Sequence, residues 1–444
     1  MISNRYRLKP SIPFSLLFLA VLIELGAGLG LTAAEPPPPR EIGREAGSSS
    51  FNFNLDAIPE RVSSHNLQLQ AARKQVEESQ GRIEQAGKLS NPFLTAQYLQ
   101  DPRVRELGGM IGFNQRIPVT NRREVERLEA AADKLGITAS IADLERRLLQ
   151  HTLEQAIHYL ALAAKKEVVT EQRQLASDLA TSIRQAADIG EASEIDVARV
   201  DLAATQFALE THHIDHELDE LEGLLKPLLN VPPTAKLTIS GGLPHTFTDP
   251  SYDNDPIEDR PDLKALRANL QKSKYSTERA RLGQWQDITV GLFASHNREE
   301  DAPIGFEMEH RAGIQLSIPL PFWNKNEGTI NERKAKSERL VAHIRALELE
   351  IETEIETARR AMKTFANHHE EIVSELMPKA KDYADKTQAA YHSGLTDLET
   401  NLSARHQFHQ MTLRGIEALR DYHLARTTLS SALGLRFAVA QKRP

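Results

Sequence analysis

The chain has 444 residues, no cysteine, 26% charged residues and a formal net charge of −8. The missing thiol excludes disulfides, thiolate metal sites, a cysteine nucleophile and a lipid-anchored N-terminal cysteine, so packing must hold the fold. The acidic balance argues against nucleic acid as a partner.

Residues 1–34 read as an export signal: Arg5, Arg7 and Lys9 precede an apolar run from about Phe14 to Leu31, and Thr32-Ala33-Ala34 offers a small-residue cleavage site. Removing that segment with its Glu24 takes the formal charge to about −10. Proline and glycine/serine stretches follow instead of a stop-transfer pattern, so residues 35–56 are expected as an extended linker. No later run approaches 18 apolar residues, so a further membrane crossing is expected only as a β-barrel.

The remainder reads as two copies of one pattern, residues 57–229 and 261–433, separated by an equatorial linker at 230–260 and followed by a tail at 434–444. Each copy opens with a helix, at 59–88 and 261–284. A strand hairpin follows, at 93–118 and 287–319, then a long helix at 122–187 and 328–392, then a return helix at 193–229 and 396–433. Ile117-Pro118-Val119 leads to Asn121 and Glu124, and Ile318-Pro319-Leu320 leads to Asn324 and Glu327. Each hairpin is therefore expected to end at proline and open a helix with an Asn-x-x-Glu cap. The linker holds a short strand at 236–240.

Alternation carries the strand assignment. Ile288, Val290, Leu292 and Ala294 form one face of the third strand, and Ala312, Ile314, Leu316 and Ile318 one face of the fourth. In the first copy Ile111, Phe113 and Ile117 oppose Met110, Gly112, Asn114 and Arg116. Such strands suit either a half-buried hairpin of a soluble sandwich or an outer-membrane barrel with lipid outside and water within. The flanks favour the barrel. Trp285, Phe322 and Trp323 cluster at one end, where an interfacial aromatic belt would sit, and an acidic connection at 297–309 resembles an extracellular loop. On this reading Ile288, Val290, Leu292, Ile314, Leu316 and Ile318 face lipid.

The long helices carry apolar residues at steps of three and four, from Val125, Leu128, Ala132 and Leu135 to Leu175, Leu179 and Ile183, and from Ile344 to Phe365. At 1.5 Å per residue each reaches about 100 Å, more than a globular domain needs.

The duplicated order, with the stretches 114–118 and 318–328, resembles the TolC-type outer-membrane efflux channel family over essentially the whole mature chain. The second stretch, Ile-Pro-Leu-Pro-Phe-Trp-Asn-Lys-Asn-Glu-Gly, is most similar to the heavy-metal subgroup of the CzcC and CusC type. The resemblance implies a mainly α protein with membrane β: a helical coiled-coil barrel joined to a β-barrel to which each protomer gives four strands. It further implies a homotrimer in the outer membrane, a periplasmic adaptor (membrane fusion) protein, and an inner-membrane pump of the RND type. Family members often carry acids six and nine positions after the second tip glycine, where this chain has Thr400 and Ser403.

No catalytic motif or cofactor site appears, and an enzyme is not expected. His212, His213 and His216, and His406 with His409, have spacings at which a helix could offer two imidazoles to one ion, but they read equally as solvated or seam residues, so no metal site is assigned. Asp196, Asp201, Asp397 and Glu399 are candidates for a cation-attracting periplasmic mouth. The turns Ile189-Gly190-Glu191-Ala192-Ser193 and Ser393-Gly394-Leu395-Thr396 are candidates for adaptor docking. Two function classes remain: an exit duct, for heavy-metal cations or else for small organic toxins or type I secretion, and a structural tether spanning the periplasm. The amphipathic hairpins favour the duct, because a tether needs no barrel strands.

Overall fold

The computed structural model describes residues 50–101, 106–250, 256–301 and 305–435. The expected signal, most of the following linker and nearly all of the C-terminal tail lie outside the described residues.

The chain enters through β1 (Ser50–Asn54) and then α1 (Ile58–His65) and α2 (Leu67–Gln85). One helix was expected over 59–88; Asn66 divides it. Its backbone is extended at φ −63°, ψ 122°, its Oδ1 accepts from the Leu69 amide at 3.0 Å, and its Nδ2 donates to the Leu228 carbonyl at 2.9 Å. A side chain that caps one helix and ties it to a distant one repays the break. Strands β2 (Phe93–Asp101) and β3 (Glu106–Ile117) precede α3 (Arg122–Asp188), which runs 67 residues without interruption. The return helix α4 (Glu194–Leu229) leads to β4 (Lys236–Ser240), which pairs in parallel with β1.

The linker ends with α5 (Pro256–Asp259), and the second copy contains α6 (Pro261–Leu282), β5 (Ile288–Asp301), β6 (Gly305–Ser317), α7 (Glu327–Glu371), α8 (Met377–His392) and α9 (Leu398–Ala432). Two expectations are corrected here, and a third gains a detail. The acidic stretch 297–309 is largely strand, not loop: β5 and β6 pair as far as Asp301 opposite Gly305. The second long helix runs helically from Glu327 to His392, as expected, but with one irregular turn. A π turn at Ile372–Leu376 separates α7 from α8, immediately before Pro378, which has no amide hydrogen for the regular ladder. Neither Asn-x-x-Glu cap forms. Asn121 makes no side-chain cap bond, and in copy two the cap position falls on Asn326, left-handed at φ 61°, whose side-chain amide donates to the Ala280 carbonyl at 2.8 Å.

Helices α3, α4, α6, α7 and α9 pack lengthwise, and three apolar clusters hold them. One joins Ile58, Val62 and Leu69 to Leu149, Leu153, Ile157, Leu225, Leu237 and Ile239 at the level of the β1–β4 pair. A second joins Leu263 to Ile351, Met362, Tyr422 and Leu429. The third, Ala180, Ile183, Val200 and Leu398, sits at the tips. Leu128, Leu135 and Leu175, read as seam residues, are exposed in the protomer.

Candidate functional site

The four long strands form one antiparallel sheet in the order β2-β3-β5-β6, so pairing of β3 with β5 joins the two copies. Register puts Leu94, Phe113, Leu292 and Ile314 side by side in one row, and Ala96, Ile111, Ala294 and Ala312 in the next. Val290 pairs with Leu316 and Ile288 with Ile117 on the same face, while Ile318 lies one residue beyond β6. This face is bare: Leu94 is 64% exposed, Leu292 61% and Ile314 75%. The opposite face carries Phe93, Asn114, Gly291 and Gln315 in one row and Gln97, Met110, Ser295 and Arg311 in another. One side of the wall thus suits lipid and the other water.

Three glycines flatten the polar face. Thr95 lies across Gly112, Asn114 across Gly291, and Phe293 across Gly313; a Cβ on Gly313 would stand 2.8 Å from the Phe293 ring. Each pair is directly opposed in register, one at each strand junction. At the helical end of the sheet, Trp285 and Phe322 are exposed, Trp323 is 95% exposed, and the last two rings meet edge to face at 6.2 Å.

At the far end of the helices, both turns have the same backbone. Gly190 (φ 87°) and Gly394 (φ 68°) take the left-handed conformation. The Glu191 amide donates to the Ala186 carbonyl and the Leu395 amide to that of Ala390, each at 2.9 Å or less, and the glycine amides close the inner bond of a Schellman motif. Ser193 and Asp397 then cap the return helices. Ile189 is 71% and Leu395 82% exposed, two apolar side chains left largely to solvent in the protomer. Ala192 packs on the tip cluster, while Ser393 and Thr396 complete the second turn.

The four candidate mouth acids are mostly engaged locally. Asp196 closes a capping box with Ser193, and Asp201 is paired with Arg184. Asp397 accepts from the Thr400 amide at 2.8 Å, and hydrogen bonds from Thr400 hold its carboxyl below the ordinary range. Glu399 reaches Arg199 at 3.1 Å. The candidate histidines do not converge either. His213 pairs with Glu217 at 3.0 Å and His216 with Glu220 at 3.5 Å. His406 is exposed whereas His409, 2% exposed, stacks edge-on to Phe207. Among the described residues no three metal-ligating side chains gather.

Sequence reading missed two features. Arg260 is buried at the start of the second copy, bonded to Asp262, Glu354 and the Ala432 carbonyl. His296 and His310 meet across β5 and β6. Neither has a local signal, because each depends on partners brought together only by the fold.

Residues 254–435 match the outer membrane efflux protein family. The cobalt-zinc-cadmium resistance protein CzcC of Cupriavidus metallidurans is 20% identical over 384 residues, 86% of this chain and 90% of that protein. Among solved structures, CusC superposes with a TM-score of 0.70 at 12% identity, covering 89% of this chain and 96% of its own. VceC of Vibrio cholerae gives 0.70 at 16% identity, covering 86% and 97%. The shared fold is thus that of an outer-membrane channel protomer, with strands at one end and a long helical part expected in the periplasm. Residues 254–435, which fill the second copy, thus carry the match to the outer membrane efflux protein family, and the fold over most of the chain is the one that these outer-membrane channel structures share.

Proposed function

We propose that three copies of the chain close a twelve-stranded barrel and serve as the passive exit duct of a tripartite efflux system for heavy-metal cations. The carrying observation is the open four-stranded sheet, apolar and bare on one face across all its strands. Unpaired edges on β2 and β6 would cost several kcal/mol per backbone group in lipid, so the sheet needs neighbouring copies to close it. The repeats at 57–229 and 261–433 each supply one hairpin and one tip.

A duct contributes no energy of its own, so an inner-membrane pump, of the RND type, and a periplasmic adaptor complete the system. The bare Ile189 and Leu395 at the turns support docking of the adaptor there. Replacing both with aspartate leaves the Schellman turns and caps in place. Trimer yield should be unchanged, while cross-linking to the adaptor and export are both lost. Full export by that variant would show that the turns only reverse the chain. Ala192 and Ser193 are poorer probes, because one packs on the tip cluster and the other caps a helix.

The heavy-metal reading is supported by the likeness to the cobalt-zinc-cadmium resistance protein and by the stretch 318–328. Deleting the gene should lower tolerance to cobalt, zinc or cadmium several-fold, with recovery on complementation. Sensitivity to dyes or detergents with unchanged metal tolerance would move the assignment to organic toxins.

A further inference from the structure

Beyond the row of Ala96, Ile111, Ala294 and Ala312, the lipid-facing side of the sheet changes character. The next row holds Tyr98, Gly109, His296 and His310, and the row after it Gln100, Leu107, Arg298 and Met308. His296 and His310 stand directly opposite each other on β5 and β6, with ring centroids 4.6 Å apart and Nδ1 atoms 3.3 Å apart. The pair is exposed.

That separation is long for a hydrogen bond. It is the bite of a tetrahedral ion: two metal–nitrogen bonds of about 2.0–2.1 Å at the tetrahedral angle place their nitrogens about 3.3–3.4 Å apart. The residues are 14 positions apart in sequence, and the register that sets Val290 against Leu316 also sets these rings together. The backbone has therefore already brought both ligands to one side.

We propose that His296 and His310 form a two-imidazole site for a divalent transition-metal ion on the outer wall of the barrel, at its extracellular end. Imidazole suits Zn2+, Co2+, Ni2+ and Cu2+, whereas Mg2+ and Ca2+ take oxygen ligands. Among the described residues no third histidine or carboxylate joins them, so water completes the coordination and the ion exchanges readily. Binding requires the β5–β6 register, so the ion clips the hairpin closed and favours the folded wall by linkage. The placement rests on the barrel reading above; the site itself is independent of the cargo.

The test uses the detergent-solubilised, chelator-stripped full-length trimer. Equilibrium dialysis against Zn2+ counts bound ions for the unaltered protein, His296→Ala, His310→Ala and the double variant. Each single variant should lose one ion per protomer, and the double variant no more than either, since both rings serve one ion; excess Mg2+ should not compete. Unchanged binding in the double variant would mean the rings only share a hydrogen bond, and additive losses would mean two separate sites; either overturns the proposal. If the alanine variants do not assemble, His296→Gln and His310→Gln keep the polarity, and loss of a two-nitrogen Cu2+ spectrum is the readout. A persisting two-nitrogen signal in both overturns it as well. Metal tolerance of cells carrying these variants should be unchanged, which separates this outcome from a failure of the export reading.

Discussion

Ile314→Arg, and separately Leu316→Arg, should strip the outer membrane of most of its detergent-resistant trimer, whereas Gln315→Arg should assemble normally. Ile314 is 75% and Leu316 58% exposed, and register places them beside Leu292 and Val290 on the apolar face. An arginine near mid-membrane on the lipid face of a barrel costs about 2–4 kcal/mol. The cost recurs in every protomer of the ring. Gln315 lies in the row of Gly291 and Asn114, on the wet side, where a charge alters ion conductance but not folding. Semi-native electrophoresis of membranes checks the order of the three variants. Equal trimer from all three would remove the assignment of inside and outside.

Arg260→Met should lower the stability of the helical part by about 3–5 kcal/mol, read as a fall in its thermal midpoint by circular dichroism. The guanidinium is 4% exposed and bonds Asp262 at 2.7 Å, Glu354 at 2.8 Å and the Ala432 carbonyl at 2.9 Å. It ties the start of α6 to α7 and to the end of α9. Removing it leaves two carboxylates and a carbonyl partly buried without their partner. Arg260→Lys should recover only part, since an ammonium cannot serve all three acceptors in the fork geometry. Burial alone would raise the Asp262 carboxyl, but hydrogen bonds and charge from Arg260, with Arg146 nearby, outweigh it and hold the group below its ordinary value. Its contribution is therefore complete above the unfolded pKa of about 4 and fades as pH falls through the lower folded value. That acid dependence should shrink in Arg260→Met.

What the sequence made legible was whatever repeats at a short period. Val290, Leu292 and Ala294 alternate because one side meets an apolar medium, and Leu153, Ile157 and Leu160 step by three and four because one stripe meets another helix. The ends of β5 and β6 were hidden for the same reason. Beyond the apolar band both faces are wet, so Arg298, Glu299, Glu307 and Glu309 carry no alternation and read as loop. Asn66 and the turn before Pro378 were missed because a long amphipathic pattern continues across each break. The capping motif shows the limit of local rules: Ser193 and Asp196 form a box in the structure, while Asn121 and Glu124, at the same spacing, do not. Arg260 finds two of its partners, Glu354 and Ala432, far away in sequence, and the His296–His310 pair depends on a hairpin register that the polar ends of the strands do not reveal.

The three glycines on the polar face bear on the size of solute that can pass. A side chain that lies flat over a neighbouring glycine occupies the wall and leaves the bore open; one denied that seat must point inward. Gly313→Ala would put a methyl group against the Phe293 ring and turn it toward the axis, in every protomer at the same height. Gly112 and Gly291 hold Thr95 and Asn114 back in the same way, in the same row and the adjoining one. In the barrel proposed above, the width of the exit would therefore be set by where side chains are absent, and single methyl groups would change the size cutoff while keeping every strand and every charge.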